Sequence, residues 1–202
     1  MRILLIRHAQ TDGNKKEILQ GWLDLKLNET GVKQAKLLAR RLRYEKIDVF
    51  YSSDLKRAIM TVEEVKKYHP GKPWIKTPLI REMSFGLFEG MDEKKYYDVI
   101  DGYRLKTYEF RPPFGESFQD VMKRAQRFFK EIWLKHKTQN VAIVSHSVFN
   151  KVFISHLLGM SFEDCMRLEQ ENTCINVIEI GSKPKVIVLN DFSHLNNNST
   201  RY

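Results

Sequence analysis

Short apolar runs alternate with amphipathic stretches along almost the whole chain. The runs at 3–6, 49–51, 141–144, 175–180 and 186–189 are aliphatic or β-branched and too short for buried helices, so they predict strands. Between them, Val32, Ala35, Leu38, Ala39 and Leu42 recur at helical spacing behind Asn28-Glu29-Thr30-Gly31. Ile59, Val62 and Val65 predict a second helix. Phe118, Val121, Met122, Ala125, Phe128, Phe129 and Ile132 predict a third, with Ser117 as its N-cap, and a last helix over 148–158 stops at Gly159. Strands alternating with helices imply an α/β fold, a mostly parallel sheet covered by helices on both faces. The stretch 85–115 breaks this rhythm. It carries Phe88, Tyr96, Tyr97, Tyr103, Tyr108 and Phe110, ends in Pro112-Pro113, and reads as a small cap inserted into one domain spanning 1–202. The tail Asn196-Asn197-Asn198-Ser199-Thr200 is low in complexity and is expected to fray.

Composition narrows the class. At 202 residues, 42% apolar and 29% charged, the chain is sized and mixed for a single self-sufficient core, which excludes disorder and collagen-like repeats. Cys165 and Cys174 make neither a metal-ligand spacing nor a secreted disulfide framework, so a reducing cytoplasm is expected. No apolar run nears the roughly 20 residues of a membrane helix, and the run at 3–6 is too short for a signal-peptide core, so no membrane partner is expected. Thirty-four Lys and Arg against 25 Asp and Glu leave a formal charge of +9, which favours anionic partners or serves general solubility. No basic stripe with interleaved stacking aromatics is present, so the expected partner is a small phosphorylated metabolite and not nucleic acid. The oligomeric state is left open, a homodimer among the options.

In a parallel sheet, ligands bind at the carboxyl ends of the strands. Three runs end suggestively: 3–6 in Arg7-His8, 49–51 in Ser52-Ser53-Asp54 with Arg57 beyond, and 141–144 in Ser145-His146-Ser147. A lone histidine after a strand is more often structural, and a lone arginine on a helix is often solvated. Two histidines and two arginines on one sheet edge are a different matter, because imidazole can attack phosphorus and guanidinium groups hold phosphoryl oxygens in pairs. No phosphate-binding Gly-x-x-x-x-Gly-Lys-Ser/Thr loop, His-Glu-x-x-His or Asp-rich cluster appears, so chemistry without metal or cofactor is expected, with Arg7, Arg57 and protonated histidine neutralising charge.

At this point the residues resemble a known family. Leu5-Ile6-Arg7-His8-Ala9-Gln10-Thr11 with Asn14 is similar to the N-terminal signature of the histidine phosphatase superfamily, the phosphoglycerate-mutase-like proteins. The likeness continues through Gly21, Asp24, Leu27 and Thr30-Gly31, then residues 51–58 with Thr61, Glu82 with Gly86 and Glu89-Gly90, Gly115-Glu116-Ser117, and Val144-Ser145-His146. The resemblance implies that His8 is the nucleophile, that Arg7, Arg57 and His146 hold the phosphoryl group, that Asn14 adds a contact, and that Glu82 is the general acid and base. An ion pair with Arg81 is the competing role for Glu82. The sequence departs from the family's usual pattern at Ala9, Gln10 and Ser147, changes that bear on substrate choice and leave the reacting groups in place. Ala9 requires a turn that an L-residue can adopt.

Within that family the short cap favours net hydrolysis of small phosphomonoesters over a phosphoglycerate mutase. A silent phosphopeptide binder would be expected to lack His8 or Glu82. Gln20-Gly21-Trp22, Ser147, Phe85, Tyr96, Tyr103 and Phe114 are candidate pocket walls. The ending Asn190-Asp191-Phe192-Ser193-His194-Leu195 is similar to endings of ribazole phosphatases and metal-independent phosphoserine phosphatases, so His194 is a candidate substrate contact.

Overall fold

The computed structural model describes residues 1–102 and 109–196; Tyr103, Tyr108 and residues 197–202 lie outside the described residues. In chain order the elements are β1 (Arg2–Arg7), α1 (Asp12–Lys15), α2 (Glu29–Leu42), β2 (Val49–Ser52), α3 (Lys56–Lys66), β3 (Trp74–Lys76), α4 (Glu93–Gly102), α5 (Phe118–Lys135), β4 (Asn140–Ser145), α6 (Ser147–Leu158), α7 (Phe162–Arg167), β5 (Ile175–Ile180) and β6 (Pro184–Asp191). The strands form one sheet in the order β3-β2-β4-β1-β5-β6. Strands β3, β2, β4 and β1 run parallel, β5 runs antiparallel beside β1, and β6 pairs antiparallel with β5 and so points the same way as β1.

The strands are apolar at nearly every position because helices cover both faces. Ile3 and Leu5 of β1 point into one core with Phe128, Phe149 and Phe153 of α5 and α6. Leu4 and Ile6 point the other way, among Leu38, Leu42, Val62 and Val65 of α2 and α3. That alternation follows from the two-residue period of a strand. Helix starts are set by side chains: Asn28 accepts from Gly31 N, and Ser117 and Asp120 form a capping box on α5. Helix α6 stops at Gly159, whose φ of 66° is the left-handed turn that glycine adopts without steric cost.

All five expected strands are present, as are the four expected helices, with α6 starting one residue earlier at Ser147. Three helices and one strand lacked a readable signal. Strand β3 is only three residues long, and α1 and α7 are four and six. In α4 only Tyr96 and Ile100 are buried, too few to mark a periodic face.

The chain order places the chemistry. Because β1 lies between β4 and β5, with β2 beyond β4, the carboxyl ends of β1, β4 and β2 are neighbours. Arg7 stands opposite Ser145 in the ladder, His8 N donates to Ser145 O at 2.9 Å, and Ser53 N donates to Val144 O at 3.0 Å.

The burial pattern separates the centre of the sheet from its edge. Leu5 is fully buried on β1, whereas Ile187 on edge strand β6 is 46% exposed. Leu5→Ala should cost about 3 kcal/mol, and Ile187→Ala should stay within about 0.5 kcal/mol. Urea unfolding of both variants checks this; comparable losses would contradict the layering.

Candidate active site

The turn after β1 is held on three sides. His8 is buried, and its Nδ1–H donates to Ala9 O at 2.7 Å, which leaves the lone pair on Nε2. Ala9 N donates to Thr61 Oγ1 at 3.1 Å, and that hydroxyl donates to Arg57 O at 2.7 Å, so the turn is tied to α3. Ala9 is fully buried and is not among the residues with positive φ, as the alanine requires. From the other side Asn172 Nδ2 donates to His8 O at 3.0 Å, and Thr173 N reaches Arg7 O at 3.1 Å and His8 O at 3.3 Å.

Arg57 is 1% exposed and has no carboxylate bonded to it among the described residues. Its Nη1 donates to Leu23 O and its Nη2 to Gly21 O, both at 2.7 Å, and its Nε–H donates to His146 Nδ1 at 3.2 Å. That last bond fixes the His146 tautomer, so its Nε2 carries a hydrogen, and this buried atom has no partner. The His8 and His146 rings lie with centroids 5.0 Å apart. Arg7 donates through Nη1 to Gln170 O, while its buried Nε is likewise without a partner. Each terminal nitrogen of Arg57 carries a second hydrogen beyond the one engaged. The turn that receives Arg57 depends on Gly21, whose φ is +46° and where a Cβ would come within 2.3 Å of Glu89 Oε1.

Glu82 is buried at the N-terminus of α6. Its Oε1 accepts from Met83 N at 3.0 Å, Val148 N at 3.1 Å and Phe149 N at 3.3 Å, whereas Oε2 takes only a longer 3.3 Å contact from Val148 N. Oε2 is therefore the oxygen open to a ligand. The segment delivering Glu82 is clamped by Arg124, which donates to the carbonyls of Leu79, Arg81 and Glu82 while paired with the Glu116 carboxylate. Arg81 is not the partner of Glu82: its guanidinium forms a two-bond pair with Asp54 at 2.7 and 2.6 Å and lies 4.9 Å from the Trp22 ring centre.

Arg7, His8, Asn14, Gln20, Gly21, Arg57, Glu82 and Ser147 surround one cleft of about 230 Å³. His146 sits directly behind, against His8. Asn14 accepts from Thr11 through its side-chain oxygen, so its amide nitrogen is the part available to a ligand. Gln20 accepts from the Thr11 hydroxyl at 2.8 Å. Of the expected walls, Phe85 lines the cleft. Tyr96 is buried in the core behind it, Phe114 is 91% exposed, Tyr103 lies outside the described residues, and Trp22 turns aside to donate its Nε1–H to Glu82 O. Sequence reasoning missed Glu93, Tyr97, Lys151 and Met166, which complete the mouth. Glu93 with Tyr97 and Ser147 with Lys151 are each four apart on a helix, a spacing that places both members on one face.

The expectation for His194 requires correction: it does not line the cleft. In the turn Ser193–Leu195 its Nε2–H donates at 3.0 Å to Thr173 Oγ1, which itself donates to Asn172 O at 2.7 Å. Thr173 is fully buried at φ +61°, an outlier for a β-branched residue. His194 thus supports from behind the strained turn that grips the carbonyls of Arg7 and His8.

The electrostatics overturn the expected protonated histidine. Burial, then the Arg57 and Arg7 charges, hold His8 well below its ordinary pKa. Burial, then Arg57 and His8, do the same to His146. Both imidazoles are therefore held toward the neutral form. Burial lowers Arg57 to about 10, so it remains charged. At the mouth, desolvation raises the Glu93 carboxyl and lowers the Lys151 ammonium. Among the described residues no group of three or more His, Cys, Asp or Glu could hold a metal ion, and no helix is long and apolar enough to cross a membrane.

Comparison with known proteins gives the family. The family model of the histidine phosphatase superfamily (branch 1) matches residues 3–191. Phosphoserine phosphatase 1 of Hydrogenobacter thermophilus is 34% identical, over 96% of this chain and 94% of its own. A phosphoglycerate mutase of Schizosaccharomyces pombe is 31% identical, over 83% of this chain and 84% of its own. The crystal structure of the alpha-ribazole phosphatase from Shigella flexneri superimposes with a TM-score of 0.84 at 28% identity, covering 95% of this chain and 96% of that one. The chain belongs to the histidine phosphatase superfamily and is a phosphatase of that superfamily.

The His194 support carries a pH signature. Burial lowers its pKa from 6.5 to about 4 in the folded protein, so the unfolded chain binds more protons between those values. Stability is complete above about pH 6.5 and declines as pH falls toward 4. His194→Gln, which keeps a donor for Thr173 Oγ1, should lose less stability than wild type between pH 7 and pH 5. Urea midpoints at the two pH values check this; equal losses would contradict it.

Proposed function

We propose that the protein hydrolyses small phosphomonoesters through a phosphohistidine on His8, with Glu82 as general acid and then general base. The observation that carries this reading is a pocket whose two guanidinium groups are bonded, among the described residues, only to neutral acceptors, beside an imidazole with its Nε2 lone pair free. A phosphoryl group supplies the missing negative charge. Arg7, Arg57, His146 Nε2–H and the Asn14 amide are the donors for its oxygens.

In the first step the His8 Nε2 lone pair forms a bond to phosphorus as the P–O bond to the alcohol breaks. Glu82 Oε2 gives its proton to the departing oxygen, since an alkoxide is a poor leaving group. In the second step the Glu82 carboxylate takes a proton from water as that water attacks phosphorus, the P–N bond breaks, and inorganic phosphate leaves with His8 neutral again. The guanidinium groups, held before substrate arrives, stabilise charge on the transferring group throughout. The side-chain set provides for this chemistry without metal. The names of the relatives point to phosphoserine and ribazole phosphate as substrates, and the mutase relative makes isomerisation of phosphoglycerate the rival outcome.

One quenched-flow experiment in EDTA tests the reading with Glu82→Gln. p-Nitrophenolate leaves without a proton, so this variant should release about one equivalent in a burst and accumulate an acid-labile phosphoenzyme on His8. With phosphoserine the first step itself should slow by about 100-fold or more, and no burst should appear. His8→Ala should give no phosphoenzyme from either substrate. A label elsewhere, equal slowing of both first steps, or loss of activity in EDTA restored by magnesium would overturn the proposal; net isomerisation of 3-phosphoglycerate without phosphate release would favour the mutase.

A further inference from the structure

Beyond the phosphate pocket, the cleft opens between two helices that present opposite charges. Helix α4 contributes Glu93 and Tyr97, and α6 contributes Ser147 and Lys151, so each helix turns one face to the cavity that contains His8. Ser147 lies at the phosphate end beside His146, and Lys151 is one turn, about 6 Å, farther along α6. The Lys151 ammonium makes one hydrogen bond, 3.3 Å to Met166 O, and has no carboxylate partner among the described residues. Glu93 anchors α4 through its backbone N–H to Glu17 O, and its carboxylate makes no hydrogen bond or ion pair among the described residues.

The rest of the wall limits what the leaving group can be. The recess behind Phe85, Tyr97 and Met166 is apolar and offers about 20 Å³, room for about one water and too little to bury an aromatic ring. A small polar alcohol fits the remaining space better than a bulky apolar one. An ammonium and a carboxylate on the protein, unpaired and on opposite sides of one cleft, are complementary to a ligand carrying the reverse pair. Lys151 is half-buried, which strengthens its attraction for an anion, whereas Glu93 stands exposed at the rim of the cleft.

We propose that Lys151 and Glu93 form a specificity subsite for phosphomonoesters whose alcohol carries both a carboxylate and an ammonium group, Lys151 taking the carboxylate and Glu93 the ammonium. This rests on the phosphatase reading of the same cleft and selects a zwitterionic alcohol over a ring-bearing one. Neither residue touches the transferring phosphoryl group, so their effect falls on KM and kcat/KM according to the leaving group's charges.

The test is a matrix of wild type, K151Q, K151R and E93Q against O-phosphoserine, 3-phosphoglycerate, phosphoethanolamine and p-nitrophenyl phosphate. K151Q should lower kcat/KM at least tenfold more on the two carboxylate-bearing substrates than on the other two, and K151R should restore the preference. E93Q should lower it at least tenfold more on phosphoserine and phosphoethanolamine than on the two substrates without an ammonium. If either glutamine variant scales all four substrates by one factor, or changes none, the subsite is overturned while phosphatase activity stands. Wild-type protein inert on all four would overturn the phosphatase reading and the subsite with it.

Discussion

Two cationic side chains without carboxylate partners set the terms for everything around them. A buried guanidinium with no counter-charge is costly, and proteins normally pair it. Here Arg57 is almost fully buried and is satisfied by the carbonyls of Gly21 and Leu23 and by His146, while Arg7 is held by the carbonyl of Gln170. Neutral acceptors orient both groups, and the carboxylates of Glu82, Asp24 and Glu89 act on the Arg57 charge from a distance without bonding to it. The consequence reaches the histidines, which burial and these same cations hold in the neutral form that nucleophilic attack requires. It also accounts for two of the three buried nitrogens without partners among the described residues, Arg7 Nε and His146 Nε2, as donors suited to an anion.

Holding such a pocket open demands support from distant parts of the chain. The His8 turn is gripped by Thr61 from α3 on one side and by Asn172 and Thr173 on the other. Thr173 keeps a left-handed conformation that a β-branched residue rarely adopts, with its hydroxyl braced between Asn172 O and His194. Glu82 is fixed by the first amides of α6 and by the Arg124 clamp beneath its segment. Strand β1 leads to the nucleophile, α3 carries the cation, and the connection between β3 and α4 carries the acid, so the site forms only when the sheet has closed.

Much of this was legible in the sequence for a definite physical reason. A sheet covered on both faces writes continuous apolar runs, and a parallel arrangement puts the residues just after those runs on one edge, so Arg7-His8, Arg57 and Ser145-His146 could be brought together from pattern alone. Glu82 was harder, because it comes after a three-residue helical turn and not a strand, and its place came from family resemblance. The mouth was hidden for a different reason. Half of helix α4 is charged and it buries only Tyr96 and Ile100, so no periodic face marks Glu93 and Tyr97, and Lys151 sits in a helix that is apolar nearly all round. His194 was expected at the substrate because the 190–195 ending resembles those of ribazole and phosphoserine phosphatases, whereas its bond to Thr173 is a contact between residues 21 apart that no spacing rule reveals.

The central claim is that burial, reinforced by the charges of Arg57 and Arg7, keeps His8 neutral, with its proton on Nδ1 and its lone pair on Nε2. Nitrogen-15 NMR of the ligand-free protein measures this directly, with the His8 ring assigned by its loss in His8→Ala. At pH 7 the account predicts a protonated Nδ1, an unprotonated Nε2, and no titration until the pH is well below the ordinary histidine value of 6.5. An imidazolium at pH 7, or a neutral ring with the hydrogen on Nε2, would contradict it.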